Sequence, residues 1–287
     1  LVQRGYATRV TEKIWIALAI GNSRYHWAWF LNTQLQSSWD TSYLTIDVIK
    51  QMMSISNDTS HSKNFEDKDC LKLLPTNLHQ TISSQQISIS QIPIYLCSVV
   101  SSQTEIWQKL PQVKQITLEN IPLLDLYPTL GIDRALAVLG AGESYGYPIL
   151  VIDGGTALTM TGVDRHRSLV GGAIMPGLKL QLQSLSMGTS ALPEIELPVQ
   201  LPTRWSNNTE GAITSGILHT ISSGISDFIH DWDRLFSESK TIFTGGDGAL
   251  LAKYLQSILP AHLADRVGFD RDLLFSGILA TIESKKC

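Results

Sequence analysis

No apolar run in the chain reaches the roughly 18 residues that a membrane-crossing helix needs, so no transmembrane helix is expected. The first ten residues lack the long apolar core and cleavage pattern of a secretory signal. Positive charge is in deficit: 22 Lys and Arg stand against 26 Asp and Glu, a net charge of −4. Without a basic tract there is no phosphate-tracking surface, and no nucleic-acid partner is expected. Cysteine is scarce. Cys70, Cys97 and Cys287 are odd in number and far apart, which excludes a disulfide framework or a zinc site and suits a reducing cytoplasm. The seven histidines are scattered, with no metal-ligand spacing. No Gly-x-x-x-x-Gly-Lys-Ser/Thr loop is present, no Gly-x-Gly-x-x-Gly opens a helix, and there is no Gly-x-Ser-x-Gly elbow. Those absences exclude a P-loop enzyme and disfavour a Rossmann dinucleotide site and an α/β-hydrolase.

What is present is a large core and three glycine turns. The chain is 43% hydrophobic and only 17% charged over 287 residues, enough for about two domains. Residues 149–161 organise the rest. Ile149-Leu150-Val151-Ile152 reads as a buried strand, Asp153-Gly154-Gly155-Thr156 as a turn, and Ala157 to Thr161 as a second strand. Paired glycines let backbone N–H groups approach an anion, Thr156 adds a hydroxyl, and Asp153 can hold a cation beside phosphates. Taken alone, the stretch reads first as an ordinary hairpin, since Asp-Gly-Gly is good turn chemistry. A similar unit comes earlier: strand Ile14 to Ile20, turn Gly21-Asn22-Ser23, strand Tyr25 to Phe30. The third is strand Thr241 to Thr244 with the turn Gly245-Gly246-Asp247-Gly248, shaped to lie against a flat base.

Between these units, residues 1–12 read as a loose extension, and the pattern at Val48, Ile49, Met52 and Met53 as a helix. The polar stretch 57–91 reads as an exposed insertion. Ile92 to Val100 and Ile116 to Leu118 read as strands, with Trp107 on a short helix. Asp133 and Arg134 open a small-residue helix. There they are either a first-turn acid with a surface cation or a base beside an anion-binding group. Further helices are expected over about 178–186, from Asn207–Ala212 to about 230, over about 249–257, and over about 273–283. Asn208 or Thr209 is placed to cap the second of these.

Five pieces in order then carry a resemblance: Gly131-Ile132-Asp133-Arg134, Asp153-Gly154-Gly155-Thr156-Ala157, Gly171-Gly172-Ala173-Ile174-Met175-Pro176-Gly177, Asn208-Thr209 and Thr244-Gly245-Gly246-Asp247. From about Trp15 to about Ile282 the chain resembles the type III pantothenate kinases, of the acetate and sugar kinase, Hsp70 and actin superfamily. The resemblance implies an α/β fold of two ribonuclease-H-like domains, residues 13–141 and 142–287, with ATP in the cleft. It implies phosphorylation of pantothenate at its 4′-hydroxyl, the first step of coenzyme A synthesis, with Asp133 as general base. Tyr127, Gly131, Ile132, Asp133, Arg134 and Thr209 become pantothenate contacts. Gly21, Asn22, Ser23, Arg24 and Thr156 become nucleotide contacts. Asp153 becomes the ligand of a monovalent cation, potassium or ammonium, with Mg2+ accompanying ATP, and the active form becomes a homodimer.

Two departures bear on activity. Where the family's first turn usually begins with Asp, this chain has Ala19, and a position often basic is His26. Ala19 keeps open a second reading, a weak or inactive relative that binds nucleotide or pantothenate as a regulator. A kinase for another small alcohol is a third, opposed by residues 131–134 and by Asn208-Thr209.

Overall fold

The computed structural model describes residues 13–54, 72–188, 192–193 and 195–285. The expected extension at 1–12, much of the expected insertion, and residues just after 188 lie outside them. By its contacts the chain divides into two compact units, Leu1–Ile116 and Thr117–Cys287.

The first unit is a five-stranded sheet in the order β3-β2-β1-β4-β5. Its strands are β1 (Ile14–Ile20), β2 (Tyr25–Leu31), β3 (Gln34–Thr41), β4 (Ile94–Ser98) and β5 (Val113–Gln115). β1 is IWIALAI, with no polar side chain, and every residue of it is buried. That composition suits a central strand, paired antiparallel with β2 and parallel with β4. Tyr25, Trp27 and Trp107 meet edge-on at 5.3–5.9 Å in the core, with Trp107 on a short helix as expected. Helix α1 (Ile46–Ser54) buries Ile49, Met52 and Met53.

Two expectations change here, and one strand comes without any. β3 was hidden by its polar composition. It is an edge strand, so only alternate residues such as Trp39 face the core. Within the stretch expected to be an exposed loop, Thr76–Gln85 forms helix α2, burying Leu78 and Ile82 one turn apart. The strand expected at 116–118 is instead Val113–Gln115. A capping box between Thr117 and Asn120 turns Leu118–Asn120 into a 3-10 turn.

The second unit repeats the plan. β6 (Ile149–Gly154), β7 (Ala157–Val163), β8 (Leu169–Pro176), β9 (Lys240–Thr244) and β10 (Val267–Phe269) lie in the order β10-β9-β6-β7-β8. β6–β7 and β7–β8 are antiparallel, while β6–β9 and β9–β10 are parallel. The first unit has the same pairings in the same senses. The duplication expected from the two glycine turns is therefore a duplication of the whole sheet.

Around this sheet lie α4 (Ile132–Tyr145), α5 (Leu178–Gly188), α6 (Thr209–Leu235), α7 (Gly248–Ile258), the short α8 (Ala261–Ala264) and α9 (Leu273–Ser284), with α3 (Ser101–Trp107) in the first unit. The boundary expected after residue 141 falls inside α4. That helix belongs to the second unit because its glycines press it onto α9: a Cβ on Gly140 would stand 2.0 Å from the carbonyl oxygen of Leu273. Among the described residues, no helix is long and apolar enough to cross a membrane.

Candidate active site

β6 delivers Asp153 to the end of the central strand, between Thr159 on β7 and Thr244 on β9. Beyond it the chain reverses, the Gly155 amide donating to the carbonyl of Ala157 at 3.1 Å. Two other segments close on this turn. The Gly177 amide donates to the carbonyl of Thr156 at 2.9 Å, and a Cβ on Gly177 would come within 2.1 Å of the Gly155 oxygen. The Asp247 amide donates to the carbonyl of Gly154 at 2.8 Å. Gly245, at φ +81°, passes so close that a Cβ there would lie 2.2 Å from Asp153 Oδ1. Glycine is required at 245 both for its left-handed backbone and for room beside the carboxylate. Lys179 of α5 pairs with Asp247 at 3.3 Å, tying α5 to the third turn; of the two, only Asp247 belongs to a motif visible in the sequence.

Asp133 sits in the first turn of α4, where a carboxylate complements the exposed amides of the helix start. Its Oδ1 accepts the Arg134 amide at 2.8 Å. A Cβ on Gly131 would stand 2.5 Å from that same oxygen, so Gly131 makes room for the acid. The charge of Asp133 reaches Asp153. Burial first, then the charge of Asp133, push the Asp153 carboxyl up to about 6.

Arg134 is buried, with 7% of its surface exposed. Its Nε donates to Thr161 Oγ1, Nη1 to the Tyr127 hydroxyl and Nη2 to the carbonyl of Met160, each at 3.0 Å. A surface cation is thus ruled out, and the guanidinium binds Tyr127 to β7. Gly172 permits this, since a Cβ there would lie 2.4 Å from Nη2 and 2.0 Å from the Met160 oxygen. Thr161 and Met160 escaped notice because their side of the contact involves an ordinary hydroxyl and a backbone oxygen. The paired glycines at 171–172 were the available signal.

Asn208, not Thr209, caps α6, its Oδ1 accepting the Gly211 amide at 2.8 Å. Thr209 and Thr156 are exposed. Ile132 is buried beneath the start of α4. The structure thus brings Asp133, Asp153, Arg134, Tyr127 and Gly131 into one connected region of the second unit.

The nucleotide-contact residues expected at 21–24 belong to the first unit. The Gly21 amide donates to the Arg24 carbonyl at 3.1 Å, and the Tyr43 hydroxyl donates to the Gly21 carbonyl at 2.5 Å. Behind the turn, Ala19 is 3% exposed and paired across strands with His26 and Cys97.

Two copies of one mixed sheet, each with a glycine turn where its first strand ends, give this protein the actin-like fold, built of ribonuclease-H-like units. Within that class the chain belongs to the type III pantothenate kinase family, whose profile matches residues 15–231. A type III pantothenate kinase of Nostoc sp. is 43% identical over 269 residues, covering 93% of this chain and 94% of that protein. One from Synechocystis sp. is 39% identical over 94% of this chain and 90% of its own length. A solved Campylobacter jejuni structure, assigned to a Baf family of transcriptional activators, superposes with a TM-score of 0.58, covering 94% of this chain and 98% of that one. At 19% identity that likeness is one of fold.

Proposed function

We propose that this protein transfers the γ-phosphoryl group of ATP to the 4′-hydroxyl of pantothenate, giving 4′-phosphopantothenate and ADP. The observation that carries the reading is Asp133, held at the start of α4 by the Arg134 amide and close enough to Asp153 to raise its pKa. The hydroxyl oxygen attacks the γ-phosphorus, the bond from that phosphorus to the β–γ bridging oxygen breaks, and the hydroxyl proton passes to the Asp133 carboxylate. A primary alcohol is a poor nucleophile until a base takes that proton, and such a base is worth about 10²–10⁴-fold. The rest of the work is positioning and charge stabilisation.

Tyr127, fixed by Arg134, and residues 131–134 hold pantothenate, with Thr209 as a further contact. The rest of the five guanidinium N–H groups of Arg134 remain for substrate. Residues 21–24 and Thr156 contact the nucleotide. Mg2+ accompanies ATP as part of the substrate, and Ala19 supplies it no carboxylate.

Asp153 fits a monovalent cation. It is an anionic oxygen ligand among backbone carbonyls, held in a setting that penalises its charge. Potassium or ammonium bound there would offset the charge of both carboxylates and of the triphosphate. The functional unit in this reading is a homodimer. Nothing in the site favours a purely regulatory role, which has no use for a base at position 133.

The test is ADP release with ATP, Mg2+ and pantothenate, in potassium and then in sodium. Pantothenate-dependent release that needs potassium is expected, and release indifferent to pantothenate would refute the reading. A pH dependence follows from Asp153. Its folded-state pKa is raised to about 6, so the carboxylate is ionised and cation-competent above that pH and protonated below it. Because one proton competes with one cation, the potassium concentration for half-maximal rate rises about tenfold per pH unit well below 6. A potassium requirement that is flat from pH 7 to pH 5 would remove Asp153 from the cation site.

A further inference from the structure

In the first unit, a carboxylate that belongs to no glycine turn controls two basic side chains beside one. β1, β2 and β3 set Ala19, His26 and Asp40 in one row, each paired with the next. Directly paired residues project from the same face of a sheet. At position 19 that face carries only a methyl group, so the imidazole has room to lean toward the end of β1. Its Nδ1 is 2.8 Å from Asp40 Oδ1. Its Nε2 lies 3.5 Å from where a Cβ on Gly21 would be, against the first glycine turn. The other carboxylate oxygen, Asp40 Oδ2, is 3.6 Å from Arg24 Nη1. Among the described residues, Asp40 from β3 faces His26, and Arg24 from the turn reaches the same carboxylate. The neighbouring Tyr43 hydroxyl is engaged with the Gly21 carbonyl, and Cys97 lies on the far side of Ala19.

We propose that Asp40 is a positioning residue for nucleotide binding: it holds the His26 ring so that Nε2–H donates to a phosphate oxygen at the Gly21–Ser23 turn. The inference rests on the nucleotide-binding reading of that turn. A histidine whose Nδ1–H is held by a carboxylate has only Nε2 left to offer, and it donates there as the imidazolium, the form with a proton on each nitrogen. Side-chain exposures of 43% for His26 and 30% for Asp40 mean the pair adds little to folding, and its fixed geometry is available to a ligand. The Arg24–Asp40 pair is looser still, with Arg24 55% exposed. Arg24 can leave Asp40 for a phosphate at small cost, while the imidazole keeps its orientation. Arg24 and His26 then give the turn two charge-assisted donors.

The experiment compares Asp40→Ala in two backgrounds, wild type and His26→Lys, measuring the Kd of a non-hydrolysable ATP analogue by calorimetry alongside steady-state kinetics. In the wild-type background Asp40→Ala should raise the Kd and the KM for ATP about tenfold, the worth of one charge-assisted hydrogen bond. The kcat at saturating ATP and the melting temperature should stay close to wild type. Asp40→Asn, which keeps an acceptor for Nδ1–H, should recover part of the loss. A lysine ammonium needs no neighbour to orient a second nitrogen, so in the His26→Lys background Asp40→Ala should change ATP affinity less than about twofold. An unchanged ATP affinity in Asp40→Ala, or an equal loss in both backgrounds, overturns the proposal. Should Asp40→Ala fail to fold, His26→Ala measured by the same titration decides it, with unaltered affinity refuting the contact. Calorimetry separates this from the catalytic reading. A wild-type protein that binds the analogue but leaves pantothenate untouched refutes the reaction and leaves this comparison intact.

Discussion

Asp133→Asn lowers kcat by about 10²–10⁴-fold, the span that a positioned general base supplies. ATP and pantothenate affinities should stay near wild type. The substitution is isosteric, and the asparagine Oδ1 still accepts the Arg134 amide that fixes the side chain at 2.8 Å. Gly131 still leaves room for it. What is lost is the capacity to take a proton, which matters only as the phosphorus–oxygen bond forms. A second effect separates this account from generic damage. The charge of Asp133 is one cause of the raised Asp153 pKa, so in Asp133→Asn that carboxyl should titrate below its wild-type value of about 6. Potassium binding, followed by titration calorimetry, should then persist to lower pH than in the wild type. Full turnover in Asp133→Asn would remove Asp133 from the mechanism. Lost turnover with an unmoved pH limb of potassium binding would mean the two carboxylates are not coupled.

Gly140→Val should cost at least about 3 kcal/mol of stability, beyond the usual range for overpacking because the clash is with backbone. α4 and α9 cross with their main chains in contact. A Cβ at 140 would stand 2.0 Å from the Leu273 oxygen and 2.6 Å from the Gly277 nitrogen, and one at 277 would stand 2.0 Å from the Leu136 oxygen. No rotamer relieves a contact made at Cβ, so the helices must part. Since α4 presents Asp133 at its start, activity should fall along with stability. The control is Gly216→Ala on α6, where a Cβ meets nothing within 4 Å. That change should be neutral or stabilise by up to about 1 kcal/mol, the helix preference of alanine over glycine. Urea denaturation of the two variants reads both effects, and equal stability for Gly140→Val and wild type would contradict the packing.

Much of this was legible in the chain because apolar runs ending in glycine turns are hard to mistake. Ile14–Ile20 and Ile149–Ile152 carry no polar side chain, and both are central strands. What the sequence hid was polar. β3 gives no strand signal because an edge strand buries only alternate side chains, and α2 lies in a stretch rich in Ser, Gln and Asn whose buried face is little more than Leu78 and Ile82. A boundary after residue 141 would cut α4, whose packing on α9 rests on Gly140 and Gly277, 137 positions apart in the sequence. At the site, the residue types were visible but their partners were not. Arg134 was read as a substrate or surface cation, whereas most of its bonding is to Tyr127, Met160 and Thr161, reached only once β7 folds against α4. Likewise, nothing in the spacing of Ala19, His26 and Asp40 reveals that two hairpin turns line them up in one row.

The most direct measurement is the phosphorus NMR spectrum of the protein incubated with ATP, Mg2+, potassium and pantothenate. The account predicts a new phosphomonoester resonance, split by the protons of the 4′-methylene, growing in step with ADP. ADP accompanied only by inorganic phosphate, or no change in ATP, would contradict it.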